Sequence, residues 1–144
     1  MKTILAVGGR GGNFANYIES LNNDYVVYRI KKIDELNDVL NDINGKKVNI
    51  VAGLGGGSSG QTVVQTASIL SQNNIDFTIF ASLPFKFEGG KRDKIAKATL
   101  ETLHQNQCKV ITQENDEFLK QGASATSAQE MFGDADKIFF EKLE

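Results

Sequence analysis

The sequence predicts an α/β domain, a three-layer sandwich whose mainly parallel sheet is covered by helices on both faces. Three observations support this class. Short β-rich segments alternate with longer helical patterns, the predicted strands are apolar almost throughout, and glycine-rich turns follow two of them. A chain of 144 residues fits one domain, which we expect to span residues 1–144.

The predicted strands are short segments rich in Val, Ile, Phe and Tyr. Pro84 breaks the pattern after the fourth segment and opens a loop that is predicted to reach Gly90. The five segments are Thr3–Val7, Tyr25–Ile30, Val48–Ala52, Asp76–Ser82 and Lys109–Thr112.

Helical patterns follow each strand. Apolar residues between Leu36 and Ile43 share one helical face, and Gly45 supplies the stop. Near the end of the chain, Ser127 and Glu130 form a capping box. The predicted helices are Asn13–Leu21, Asp34–Ile43, Thr62–Ser71, Ile95–Leu103, Asp116–Gln121 and a final helix from the Ser127 cap through Leu143.

Composition excludes several classes of function. The net charge of -2 comes from interspersed acids and bases, whereas a nucleic-acid partner requires a basic stripe. No apolar run approaches the roughly 20 residues of a membrane span. A single cysteine, Cys108, excludes an internal disulfide and fits a reducing cytoplasm. With one cysteine and one histidine, the chain has too few soft ligands for a zinc site.

Two glycine-rich turns are the most informative feature. The first is Gly8–Gly12, interrupted by Arg10, and the second lies within the run Asn49–Gln61. Glycines allow backbone N–H groups to approach an anion closely, and a helix N-terminus behind such a turn favours phosphate. In a parallel sheet the carboxyl ends of the strands lie at one edge, and ligands bind beyond that edge. Both turns fall there, so together they indicate a nucleotide. Tight packing of helix on strand is the alternative explanation of either turn.

Two common nucleotide fingerprints are missing, and a hydrolase pattern is present. The chain lacks G-x-x-x-x-G-K-[ST], and its near match to G-x-G-x-x-G has Phe14 where a small residue is required. The second turn contains G-x-S-x-G, the pattern of a nucleophile elbow. In a small serine hydrolase, Ser58 would be the nucleophile and His104 the base, and Asp76 or Glu88 would orient the histidine.

Five segments follow one another in an order that matches a known family: Val7–Asn16, Ala52–Ser58, Pro84–Arg92, Asn115–Leu119 and Met131–Asp136. In that order they resemble the first phosphate loop, the glycine-rich signature loop, the ribose loop, the Asn-Asp-x-Leu-Leu element and the start of the central helix in the FtsZ/tubulin family. The chain looks like a shortened nucleotide-binding half of FtsZ, with Arg10 in place of one glycine.

The resemblance implies a Rossmann-like or flavodoxin-like sheet in the order 2-1-3-4-5 and a site for GTP or GDP, with the magnesium that a triphosphate usually carries. It assigns no catalytic residue and no metal ligand in this chain. The implied nucleotide-binding residues are Gly8, Gly9, Arg10, Gly11, Gly12, Asn13, Gly55, Gly56, Gly57, Ser58, Ser59, Gly60, Glu88, Arg92, Asn115, Phe132 and Asp136.

Each implied residue has a chemical role. The glycine N–H groups hold phosphates, and Glu88 accepts hydrogen bonds from ribose hydroxyls. Arg92 faces the ribose or the terminal phosphate, and the amides Asn13 and Asn115 reach the guanine edge. Stacking on the base is the role that the resemblance gives to Phe132. By the same resemblance, the carboxylate of Asp136 accepts two guanine N–H donors, and adenine offers no such pair.

Departures from the family pattern set expectations for function. The family's third strand and its loop that senses the terminal phosphate have no counterpart here. The family's Thr-Gly-Thr-Gly has become Ser58–Gln61, so we expect weaker binding. The printed sequence ends at Glu144, within the central helix, so we expect no second domain.

Without that domain, we expect at most a weak GTPase that does not polymerise by itself. The expected role is a cytoplasmic regulatory module of cell division or the cytoskeleton, whose partners are a guanine nucleotide and a full-length FtsZ-like protein. An FtsZ-derived interaction domain without nucleotide remains an alternative.

Overall fold

The computed structural model describes residues 2–21, 24–55, 58–84 and 89–114. Within these ranges strands and helices alternate, and a 3-10 turn at Ile33–Glu35 precedes the second helix. No helix in the described ranges is both long and apolar enough to span a bilayer. In chain order the elements are β1 (Lys2–Val7), α1 (Gly8–Leu21), β2 (Tyr25–Ile30), α2 (Leu36–Ile43), β3 (Val48–Gly53), α3 (Ser59–Gln72), β4 (Phe77–Leu83), α4 (Gly90–Gln105) and β5 (Val110–Glu114).

The five strands form one sheet in the order β2-β1-β3-β4-β5, and every neighbouring pair is parallel. This confirms the predicted class and strand order. The register pairs Val7 with Ala52, Gly53 with Ser82, and Ser82 with Gln113. The carboxyl ends of these strands therefore form one edge of the sheet, which we call the carboxyl edge.

Each face of the sheet buries its own apolar cluster, because successive strand residues point to opposite faces. On one face α1 packs Phe14, Ala15 and Ile18 against the sheet. The other face buries residues from α2, α3 and α4, among them Leu36, Val63, Leu70 and Leu103. Each fully buried side chain of this size stabilises the fold by about 1.5–3 kcal/mol, so the sheet is a rigid support for its carboxyl edge.

The first glycine turn is helical, which differs from the prediction. We expected a loop followed by a helix from Asn13, but α1 begins at Gly8, directly after β1. A Cβ at Gly11 would lie only 2.5 Å from the carbonyl oxygen of Val51. The missing side chain therefore lets α1 approach β3 closely, and that packing outweighs the low helix propensity of glycine.

Three other helices also differ at their starts. The helix expected at Thr62 begins at Ser59, and the one expected at Ile95 begins at Gly90. The one expected at Asp34 is a 3-10 turn followed by α2. In this turn Glu35 Oε1 accepts hydrogen bonds from the backbone N–H groups of Lys31 (3.2 Å) and Lys32 (3.1 Å). The two predicted helices after residue 115 lie outside the described residues.

Candidate functional site

Three helices begin at the carboxyl edge, because α1, α3 and α4 follow β1, β3 and β4. Their first turns lie close together. A Cβ on Gly8 would lie 2.9 Å from the Cβ of Ser59, so α1 meets α3. A Cβ on Gly55 would lie 2.7 Å from the carbonyl oxygen of Arg92, so the second turn meets α4. The site is built where these helix N-termini converge.

Backbone conformation at both turns requires glycine. The φ angles of Gly8 and Gly55 are 74° and 100°, a region that residues with a Cβ rarely adopt. The N–H groups in the first turn of a helix have no acceptor within that helix. Together with the helix dipoles, the N-termini of α1 and α3 therefore favour an anion at this edge.

The two serines of the second turn differ in what their hydroxyls can do. Ser59 Oγ donates to the carbonyl oxygen of Gly53 at 2.9 Å, so this hydroxyl joins the helix start to the end of β3. Ser58 is exposed at the N-cap of α3, and its side chain makes no capping hydrogen bond. Its carbonyl oxygen accepts from Thr62. The hydroxyl that can reach a ligand is therefore the one on Ser58.

The described part of this edge is rich in cations. The first turns of α1 and α3 contain no acidic residue. Arg10 lies in α1, and Lys91 and Arg92 lie in the first turn of α4. The single acid of that turn, Asp93, pairs with Lys97 at 2.9 Å. Cations at a helix N-terminus oppose the helix dipole, and a bound anion would offset this repulsion.

The structure brings together only part of the predicted site. Asn13 is exposed on α1, beyond its first turn. Gly9 and Gly12 have open space where a side chain would lie, whereas a Cβ on Gly60 would meet Thr99 of α4 at 2.8 Å. The predicted residues Gly56, Gly57, Glu88, Asn115, Phe132 and Asp136 lie outside the described residues.

The structure also adds a residue that we did not predict, Gly53. It ends β3, and a Cβ there would lie 2.6 Å from Cβ and Cγ of Arg10. The sequence pattern ended this strand one residue earlier, at Ala52. The signal for Gly53 is its place as the first glycine after an apolar strand, where a side chain from another element can lie against the backbone.

The geometry does not assemble the hydrolase alternative. His104 is the chain's single histidine and lies exposed in the last turn of α4. Ser58 lies at the N-terminus of α3, on the carboxyl edge, and the length of α4 separates that edge from His104 by roughly 20 Å. Asp76 precedes β4 and so lies at the opposite edge too. Ser58 therefore has no histidine base within reach.

Of the comparisons with known proteins, the one with solved structures shows the fold. No protein-family model and no curated protein matches the sequence. A solved structure described as an empty FtsZ dimer from M. jannaschii is similar, with a TM-score of 0.76 and 18% sequence identity. The similarity covers 98% of this chain and 53% of that chain, so this chain spans about half the length of its neighbour. The chain therefore has an FtsZ-like α/β fold.

Proposed function

We propose that this chain binds a guanine nucleotide, GTP or GDP, at the carboxyl edge of its sheet. The observation that carries the proposal is the convergence of three helix N-termini through the contacts Gly8–Ser59 and Gly55–Arg92. Such an edge favours a polyphosphate because its N–H groups, its helix dipoles and the exposed cations Lys91 and Arg92 all attract negative charge. The FtsZ-like fold and the sequence resemblance together favour guanine as the base.

Phosphates would lie against the first turns of α1 and α3, with the Ser58 hydroxyl as a side-chain donor. Arg92 would make a charge-assisted contact to the ribose or the terminal phosphate. Among the residues that the structure describes, no group of three or more His, Cys, Asp or Glu could hold a metal ion. In this proposal a magnesium ion that accompanies the nucleotide is held chiefly by phosphate oxygens, its usual way of binding nucleotides.

The test is calorimetric titration with GTP, GDP and ATP, supported by thermal unfolding with each nucleotide. We expect GTP and GDP to bind and ATP to bind much more weakly. A ligand at 100 times its Kd raises the free energy of unfolding by about 2.7 kcal/mol. The absence of both heat and stabilisation with every guanine nucleotide would reject the proposal in favour of an interaction domain without nucleotide.

A separate substitution tests which residue selects guanine over adenine. Asp136→Asn exchanges one acceptor oxygen of the proposed guanine contact for a donor, and we expect it to reduce the preference for GTP over ATP by at least tenfold. Asp134→Asn is the matched control, since it makes the same change two residues away. Equal selectivity in both variants would argue that the base is recognised elsewhere.

The structural neighbour, which is described as a dimer of FtsZ, supports a second proposal about a partner. We propose that a full-length FtsZ-like protein is a partner and that this chain acts on its filament in the cytoplasm. Co-sedimentation with the host's FtsZ-like polymer tests this. Comigration or a changed polymer mass supports the idea, whereas unchanged polymer mass without comigration at excess protein rejects it.

A further inference from the structure

Arg10 lies across the end of β3 instead of extending into solvent. The position that a Cβ of Gly53 would occupy is 2.6 Å from both Cβ and Cγ of Arg10, and 3.4 Å from Ser82 Oγ. Two guanidinium atoms of Arg10, Nε and Nη1, are shielded from solvent. Long cationic side chains usually keep the charged end in water, so this side chain is held inward by its surroundings.

The space that Arg10 fills lies between the two glycine turns. Gly8 at the start of α1 contacts Ser59 at the start of α3, and Ser59 Oγ donates to the carbonyl oxygen of Gly53. Arg10, in the first turn of α1, packs its aliphatic stem on that same Gly53. The stem therefore lies beside the starts of α1 and α3, where the proposed function places the phosphates.

We propose that Arg10 is the residue that sets the affinity of this site for nucleotide phosphates, because its stem covers the end of β3 beside both helix starts until a phosphate displaces it. The inference rests on the proposed nucleotide-binding function. Rotating the side chain off Gly53 leaves Cβ in place and exposes roughly two methylene groups, Cγ and Cδ, which corresponds to about a tenfold loss of affinity. The form that can bind a phosphate is the one with the Arg10 stem moved off Gly53, and the apparent Kd rises in proportion as this form becomes rarer.

The test compares three substitutions at one position by calorimetric titration with GDP and GTP. Arg10→Gly removes the whole side chain and Arg10→Ala leaves only Cβ, so neither has a movable stem, and we expect both to bind about tenfold more tightly than the wild type. Alanine also keeps a good helix former in α1, in case glycine impairs folding. Arg10→Gln keeps Cβ and Cγ over Gly53 without the charge, so we expect an affinity within about threefold of the wild type.

Lys94→Ala is the matched control for charge, because Lys94 is an exposed cation on α4. We expect it to bind like the wild type. Weaker binding by Arg10→Gly, Arg10→Ala and Arg10→Gln alike would show that the guanidinium is itself a phosphate ligand, and would overturn the inference while leaving the proposed function intact. Unchanged affinity in all three would also overturn it. If neither the wild type nor any variant binds a nucleotide, the proposed function fails as well.

Discussion

The close approach of α1 to β3 can be tested with a single methyl group. Gly11 is buried, and a Cβ there would lie 2.5 Å from the carbonyl oxygen of Val51 and 3.4 Å from the backbone carbon of Ala6. Carbon and carbonyl oxygen atoms ordinarily approach to about 3.3–3.6 Å. Gly11→Ala therefore has to move α1 away from the sheet by roughly 1 Å.

The expected cost follows from two opposing terms. Overpacking of this kind costs about 1–3 kcal/mol, whereas alanine gains about 1 kcal/mol over glycine in a helix interior. Gly12→Ala is the matched control, because nothing lies within 4 Å of the position of its Cβ. We expect the control to be as stable as the wild type or more stable, and the two variants to differ by about 1–3 kcal/mol in the free energy of unfolding.

Urea and thermal unfolding, followed by far-ultraviolet circular dichroism, measure this difference. For a chain of this size each kcal/mol shifts Tm by about 2–4 °C, so Gly11→Ala should melt several degrees below Gly12→Ala. Equal midpoints for the two variants, with equal slopes in urea, would refute the contact between α1 and β3.

The remaining predictions concern other parts of the fold. Gly55→Ala places a Cβ at a positive φ and against α4, so it should lower the free energy of unfolding by about 1–3 kcal/mol. Gly90→Ala is the control, because nothing lies within 4 Å of the position of its Cβ, and it should not lower this free energy. Equal decreases in the free energy of unfolding in urea for the two variants would contradict the prediction. Glu35→Ala removes the acceptor for two backbone N–H groups and should cost about 1 kcal/mol. Glu35→Gln keeps an acceptor oxygen, so in the same unfolding experiment its free energy of unfolding should fall by less than that of Glu35→Ala. Burial raises the pKa of the Cys108 thiol, so its alkylation by iodoacetamide should reach half-maximal rate above about pH 8.5, and a lower midpoint would contradict burial. Because the unfolded thiol ionises first, stability should fall as pH rises from about 8.5 towards the raised pKa.

The sequence by itself determined the class of fold and the placement of the two glycine turns. Alternation of apolar strands with helical patterns is a local property, and it predicted a parallel sheet with both turns at one edge. The order 2-1-3-4-5 came from the resemblance to the FtsZ/tubulin family, and the structure confirms it. The roles given to Asn115, Phe132 and Asp136 stay predictions, since these residues lie outside the described part of the chain.

Only the tertiary structure decided where α1 begins and where the side chain of Arg10 lies. Glycine has low helix propensity, so local pattern favoured a loop at Gly8–Gly12, and the contact of Gly11 with the backbone of β3 reversed that preference. In the same way, nothing near Arg10 in the sequence indicates that its stem lies on Gly53. Both outcomes depend on atoms of residues that are 40 or more positions apart along the chain, and such contacts are set by packing and not by local periodicity.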